Sequence, residues 1–487
     1  MKNFICNIFI VLVCFGCEDF LEEEPKGLLI GNKAISTVEG LEAALTGVYN
    51  PNFNAFGHGF NTAEVLAVLM GGDDLTTHPG LNKAPFRQMD LFNVDALNQR
   101  STNFWRGRYF TIYRANNIIN NYHLAEGNQT TINHIAGEAY FLRAISYYWL
   151  VRLYGNIPLI TQSSVSEDVL DVGTVPPAEI YELIIADLKK AEELLPVEKR
   201  DPGRPCQGSA KAFLADVYLT MGGWPINDQS KYAMAAEKAK EVIDNRASYG
   251  WSLNLPLSVL FSGNYLDNRQ SAEIFAFYFA PGNGSLNTLF GISAVSDDEK
   301  GWNDYCAEIN FFLNFPEGIR KDITFQTLFQ TDNGVISWED NSIGQPFYKK
   351  LQVVEGNTYH TGMPIILLRY AHVLLIYAEA QTRADGAPDG QAYAGLNAVR
   401  ERAGLASLSG LSSSEFIEAV IDERSWEFAA EYTRWFDLQR LERVAAVNAQ
   451  RNPGDIPLIG TPNDQTYEYY YLPIPAGEVL LNPNLLE

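Results

Sequence analysis

Five aromatic residues stand in stretches with neither a helical nor a strand period: Phe86, Phe92, Trp302, Tyr305 and Trp338. Gln88 and Asn93 lie beside the first two, Asn303 follows Trp302, and Glu339-Asp340 follow Trp338. A flat apolar ring next to amides and carboxylates suits a ligand whose apolar faces are edged with hydroxyls, as in a pyranose. Long loops on a rigid scaffold are where such contacts concentrate. The ligand-binding candidates are therefore Phe86, Gln88, Phe92, Asn93, Trp302, Asn303, Tyr305 and Trp338. Ordinary packing competes with binding at each of them, and decides wherever the side chain is buried.

Catalysis has weaker support. Glycoside hydrolysis takes a pair of carboxylates, but 59 acidic residues supply pairs everywhere, Asp73-Asp74 and Asp297-Asp298 among them. The chain has no Gly-x-Ser-x-Gly, no His-Glu-x-x-His and no phosphate-binding Gly-x-x-x-x-Gly-Lys-Ser/Thr. Six scattered histidines without a Cys-x-x-Cys disfavour zinc. Asp385 to Gly390 lacks the alternating oxygen ligands of a calcium loop and reads as a turn between helices. No catalytic residue, metal ligand or cofactor is expected.

The N-terminus carries chemistry of another kind. Met1-Lys2-Asn3 leads an apolar run from Phe4 to Val13, and Gly16 precedes Cys17. A charged start, a short apolar run and a small residue at the cut describe a secretory signal. A cysteine directly after the cut is where a bacterial lipoprotein is acylated, so Cys17 is the expected lipidation site. Cys14 stands where such signals usually carry leucine. The run is too short to span a bilayer core of about 30 Å. After cleavage three cysteines remain, and with Cys17 acylated only Cys206 and Cys306 could bridge. Two cysteines so far apart in sequence are more often both free.

A formal charge of -23 argues against nucleic acid and against adhesion to an anionic membrane face. It also repels acidic polymers at long range, which favours neutral ones.

The elements that must hold the candidate residues are mainly helices. A signal at 1–16 and an acidic tether at 17–32 precede a helical region, 33–248, which contains a long irregular loop at 69–97. Helical spacing marks Val38 to Tyr49, the run from Trp105 to Ile119, Ala136 to Tyr154, Pro177 to Pro196, Ser209 to Met221 and Tyr232 to Ile243. A loop-rich insertion with a few short strands, Glu273 to Phe279 first among them, occupies 249–361. The segment 362–487 returns to helices, at Arg369 to Thr382 and Gln391 to Arg402. Alanines and glycines where helices must approach, with aromatics beside them, suggest tetratricopeptide-like hairpins of irregular period. Trp105, Tyr109, Tyr140, Tyr147, Tyr148 and Trp149 lie at core spacing. Arg143, Glu379, Glu427, Arg434 and Asp437 are charges on otherwise apolar helices and must be paired internally.

Several blocks, in order, resemble the SusD/RagB family. They are Cys17-Glu18-Asp19-Phe20-Leu21 with Pro25; Trp105-x3-Tyr109-x2-Ile112-x3-Asn116; Glu138 to Ala144 continuing through Leu153-Tyr154-Gly155-Asn156-Ile157-Pro158; and Glu273-Ile274-Phe275. Met363-Pro364, Leu368 to Ala371, Leu396 to Arg400, Glu423-Arg424-x2-Glu427-Phe428 through Leu438, and Leu472-Pro473-Ile474-Pro475 follow. The resemblance implies a helical repeat scaffold under a large irregular segment, and a non-catalytic lipoprotein on the outer membrane. Such proteins capture ligand for a TonB-dependent, SusC-like transporter. Glycan is the usual ligand and peptide the alternative, while a scaffold that binds only protein would need no exposed loop aromatics. Glu18 and Asp19, just after the lipid-bearing position, resemble a signal for surface display.

Overall fold

The computed structural model describes residues 35–53, 59, 66–163, 171–261, 271–278, 290–352, 364–453 and 470–486. Cys17, the signal and the tether lie outside the described residues. The scaffold is built from α1 (Val38–Tyr49), α2 (Ala84–Asp90), α3 (Gln99–Asn121), α4 (Gln129–Tyr154), α5 (Pro177–Leu194), α6 (Gln207–Met221), α7 (Ser230–Asp244), α8 (Tyr370–Asp385), α9 (Gly390–Arg402), α10 (Ser413–Glu427) and α11 (Arg434–Arg440). From α3 to α9 each helix packs against the next, and α10 lies on α8. This is a mainly α, tetratricopeptide-like stack.

Close approach of helices needs small residues. A Cβ at Gly222, just past α6, would stand 2.4 Å from the Tyr232 ring of α7. The middle of α4 is buried almost all round, with Tyr147, Tyr148, Trp149 and Leu150 each under 5% exposed. Its ring Phe141 meets Phe213 of α6 and Phe275 of the insertion edge to face, at 5.3 and 4.9 Å. α4 starts at Gln129, earlier than the apolar pattern indicates, because Asn128 caps it by accepting the Thr131 N–H at 3.0 Å.

Three of these helices are not visible as apolar stripes, the seven-residue α11 among them. α2 falls within the stretch expected to be irregular; at seven residues it is too short to show a period. α10 turns Glu423, Arg424 and Glu427 inward, which erases its apolar face.

The strands are short and pair antiparallel, two by two: β1 (Leu75–Thr76) with β3 (Cys306–Ala307), β2 (Glu273–Phe277) with β8 (Ile365–Arg369), β4 (Phe325–Gln326) with β7 (Phe347–Tyr348), and β5 (Leu328–Thr331) with β6 (Gly334–Ser337). β2 enters the insertion and β8 leaves it, so their pairing closes its base, and α7 and α8 pack directly together across the break.

The inward charges are paired. Arg143 holds Asp187 through two bonds of 2.7 Å and donates to Asn116 at 2.8 Å. Glu427 accepts from Arg369 at 2.9 Å and Arg320 at 3.1 Å, and also meets Arg402. Arg440 joins Glu379 to Asp437, Arg424 also reaches Asp437, and Arg434 grips Asp73 through two nitrogens. Arg320 and Lys350 come from the insertion, so this network fastens it to α10 and the turn that follows. Cys206 and Cys306 are both buried, and no disulfide joins them.

Candidate functional site

The early loop and the insertion meet at the β1–β3 ribbon, where Leu75 faces Ala307 and Thr76 faces Cys306. Just beyond one end of it the His78 N–H donates to the Asn303 carbonyl at 3.4 Å, and Lys83 pairs with buried Asp304. These contacts gather His78, Asn82, Lys83, Asp297, Gly301, Trp302 and Asn303 around an open depression of about 400 Å³.

Trp302 is 36% exposed. The loop that presents it is tied down on several sides. Ser296 caps the turn Asp297–Glu299, and Asn303 accepts the Asp297 N–H at 2.8 Å. Ser342 bonds both Asp297 and Asp298, while Glu299 accepts from Gln326 and from the Gln330 N–H, both at 2.8 Å. Gly301 has no alternative: a Cβ there would sit 2.0 Å from the Val295 carbonyl oxygen. A ring on a fixed loop loses little conformational entropy on binding.

Around the ring the polar groups differ in kind. Burial opposes ionisation of Asp297, yet hydrogen bonds from Ser342 and Asn303 and the nearby His78 outweigh it and hold the carboxyl below its usual range. It is an acceptor at neutral pH. His78 Nδ1 accepts the Gly80 N–H at 2.8 Å, which leaves the proton of the neutral ring on Nε2. Asn82 is exposed. An exposed ring, an amide, an imidazole and a carboxylate can stack on an apolar face and bond the hydroxyls at its edge.

The other candidates disperse. Phe86 and Tyr305 are 2% and 0% exposed and pack edge to face at 5.6 Å, so neither offers a face to a ligand: as partners across the loop–insertion junction they belong to the core. Asn303 is buried as well, and fastens the loop through its side chain. Gln88 accepts from Asn98 at 2.7 Å, and exposed Asn93 closes the end of α2 by donating its N–H to the Gln88 carbonyl. Phe92, half-buried, tilts against Trp435 at 6.0 Å in a different groove. Trp338 is half-buried, edge to face with Phe312 at 5.7 Å. Of the two tryptophans expected at the surface, Trp302 is the more open. His78, Asn82 and Asp297 were not among the candidates; the turn-forming run Lys300-Gly301 before Trp302 was the signal, since both sit where a tight turn is needed.

Two family models match the chain, one described as the SusD family over residues 317–487 and one as starch-binding associating with outer membrane over 19–219. The chain belongs to the SusD/RagB family. A SusD-like protein P2 of Formosa agariphila is 29% identical, over 100% of this chain and 99% of its own. A SusD homolog from Bacteroides thetaiotaomicron superposes with a TM-score of 0.78 at 23% identity, covering 93% of this chain and 97% of its own. Two more share this SusD fold at TM-score 0.74, each at 23% identity and over 92% of this chain: a laminarin binding SusD-like protein and surface glycan-binding protein A from Bacteroides fluxus, covered over 98% and 97% of their lengths. Among the described residues of this SusD/RagB member, no group of three His, Cys, Asp or Glu could hold a metal ion, and no helix is long and apolar enough to cross a membrane.

Proposed function

We propose that this chain is a non-catalytic, surface-anchored lipoprotein that captures glycan and passes it to a TonB-dependent outer-membrane transporter. The observation that carries the reading is Trp302, exposed on a fastened loop beside Asn82, His78 and Asp297. Its support from relatives is that proteins of the same fold are named for binding laminarin and surface glycan. The anchor rests on Cys17, and the strongly acidic chain favours a neutral polymer.

Affinity electrophoresis of a chain beginning at Glu18, in native gels cast with neutral and acidic polysaccharides, tests the reading. Retardation by a neutral polymer, weakened at least about tenfold in Trp302→Ala, is the expected result, since truncating a hot-spot aromatic costs about 2 kcal/mol or more. Peptide binding without glycan retardation would replace glycan by peptide. Cys17→Ala should release the protein from membranes with its fold intact.

A further inference from the structure

At the opposite end of the β1–β3 ribbon lies a second opening. His78 and Asn303 stand beyond one end of the ribbon, and Asp73 and Glu308 beyond the other. There the insertion helix Ile309–Asn314 faces α10 across a cleft of about 290 Å³, at the small end of ligand pockets. Phe311 and Trp426, both half-buried, supply apolar faces. Asp422 and Trp426 are four residues apart on α10, so the carboxylate and the indole share one side of the helix.

Most polar groups of this cleft are paired, but two are uncommitted. The Asp422 carboxylate and the Asn314 side-chain amide are exposed and make no hydrogen bond among the described residues. Arg434 spends Nε and Nη2 on Asp73, at 2.5 and 2.6 Å, which leaves Nη1. That pair cancels the charge of Arg434, so the cleft offers donors and acceptors with no cationic excess. This disfavours an anionic ligand. No group of three metal-ligating side chains is present among the described residues, which disfavours a cation.

We infer that the cleft between Phe311 and Trp426 is a second carbohydrate subsite for a neutral glycosyl unit, separate from the Trp302 depression. The inference rests on the glycan reading above. The two openings share no lining residue. From Asp73 to His78 the backbone spans at most roughly 18 Å, within reach of a single polymer strand. Two subsites on one strand raise apparent affinity through effective concentration, so the polymer gains more from the second than a short fragment does.

The test is titration calorimetry with laminarin, xyloglucan and starch and with short oligosaccharides cut from each, on the wild type, Trp302→Ala, Trp426→Ala and Asp422→Asn. The chain begins at Glu18, and thermal melts check that each variant folds. Expected is a residual oligosaccharide affinity in Trp302→Ala that disappears when Trp426→Ala is added. Trp426→Ala alone should lower polymer affinity at least about tenfold while leaving the Trp302 site occupied by the fragment. Asp422→Asn, a near-isosteric change at an exposed position, should weaken the same residual binding. If Trp302→Ala removes all binding and neither Trp426→Ala nor Asp422→Asn changes the polymer affinity, the second subsite is refuted and the glycan reading stands. If the wild type binds none of these glycans, both fall.

Discussion

Replacing Glu427 by glutamine should destabilise the protein by about 3 kcal/mol at pH 7, and two independent routes give that figure. Glu427 is the anion shared by Arg320, Arg369 and Arg402, and its carboxylate is fully buried. Removing one partner of a buried ion pair typically costs about 3–5 kcal/mol, because the remaining charges are left uncompensated. Burial opposes ionisation of Glu427, but Arg402, Arg369 and Arg320 overcome it and pull the carboxyl from 4.5 down to about 2. A depression of that size stabilises the fold by about 3 kcal/mol once the group is ionised. The sign follows from the depressed value. The contribution is full above the unfolded value of 4.5 and is lost as pH falls through about 2. The gap between wild type and Glu427→Gln should therefore shrink by about half between pH 7 and pH 3. Urea denaturation followed by fluorescence of the eight tryptophans reads it. A gap under about 1 kcal/mol at pH 7, or one that does not narrow in acid, would refute the view that Glu427 holds the insertion to the scaffold by charge.

Other consequences are as direct. Gly301→Ala should weaken glycan retardation about as much as Trp302→Ala and lower the melting temperature, because the added Cβ collides with the Val295 backbone beneath the Trp302 loop. His372 stacks on Phe428 at 3.6 Å, and burial, then Arg369 and Arg424, hold it neutral well below its usual range. The unfolded chain takes up that proton and the folded chain does not. Stability should thus fall by roughly 2 kcal/mol from this residue between pH 6.5 and 5, a slope that His372→Phe removes in acid-titrated melts. In a chain beginning at Glu18, Cys206 and Cys306 should resist a thiol reagent until denaturant unfolds the protein, when both react without prior reduction.

The scaffold is largely written in apolar spacing. Core aromatics such as Trp105 and Tyr147 and the inward charges Arg143, Glu379, Glu427, Arg434 and Asp437 are placed by the rule that a helix must bury its stripe and pair what it buries. The site is legible only in part, because loop aromatics carry no period. Trp302 and Tyr305 are neighbours in an irregular stretch with the same chemistry on paper. Only the pairing of β1 with β3, residues more than two hundred positions apart, turns one outward and buries the other against Phe86. His78 and Asn82 join the site through the same long-range pairing, which local sequence cannot report.

The β2–β8 clasp has an evolutionary consequence. Because α7 and α8 pack directly across the break and the clasp anchors both ends of the insertion, residues 278–364 are spliced into the solenoid at a single seam. Mutations and length changes inside that cassette are shielded from the helical register on either side, provided the β1–β3 ribbon is kept and Arg320 and Lys350 keep their anions. One chassis can then diversify in what it grips through exchange of a single segment, and a graft cut at Phe277 and Ile365 is where an engineer would begin.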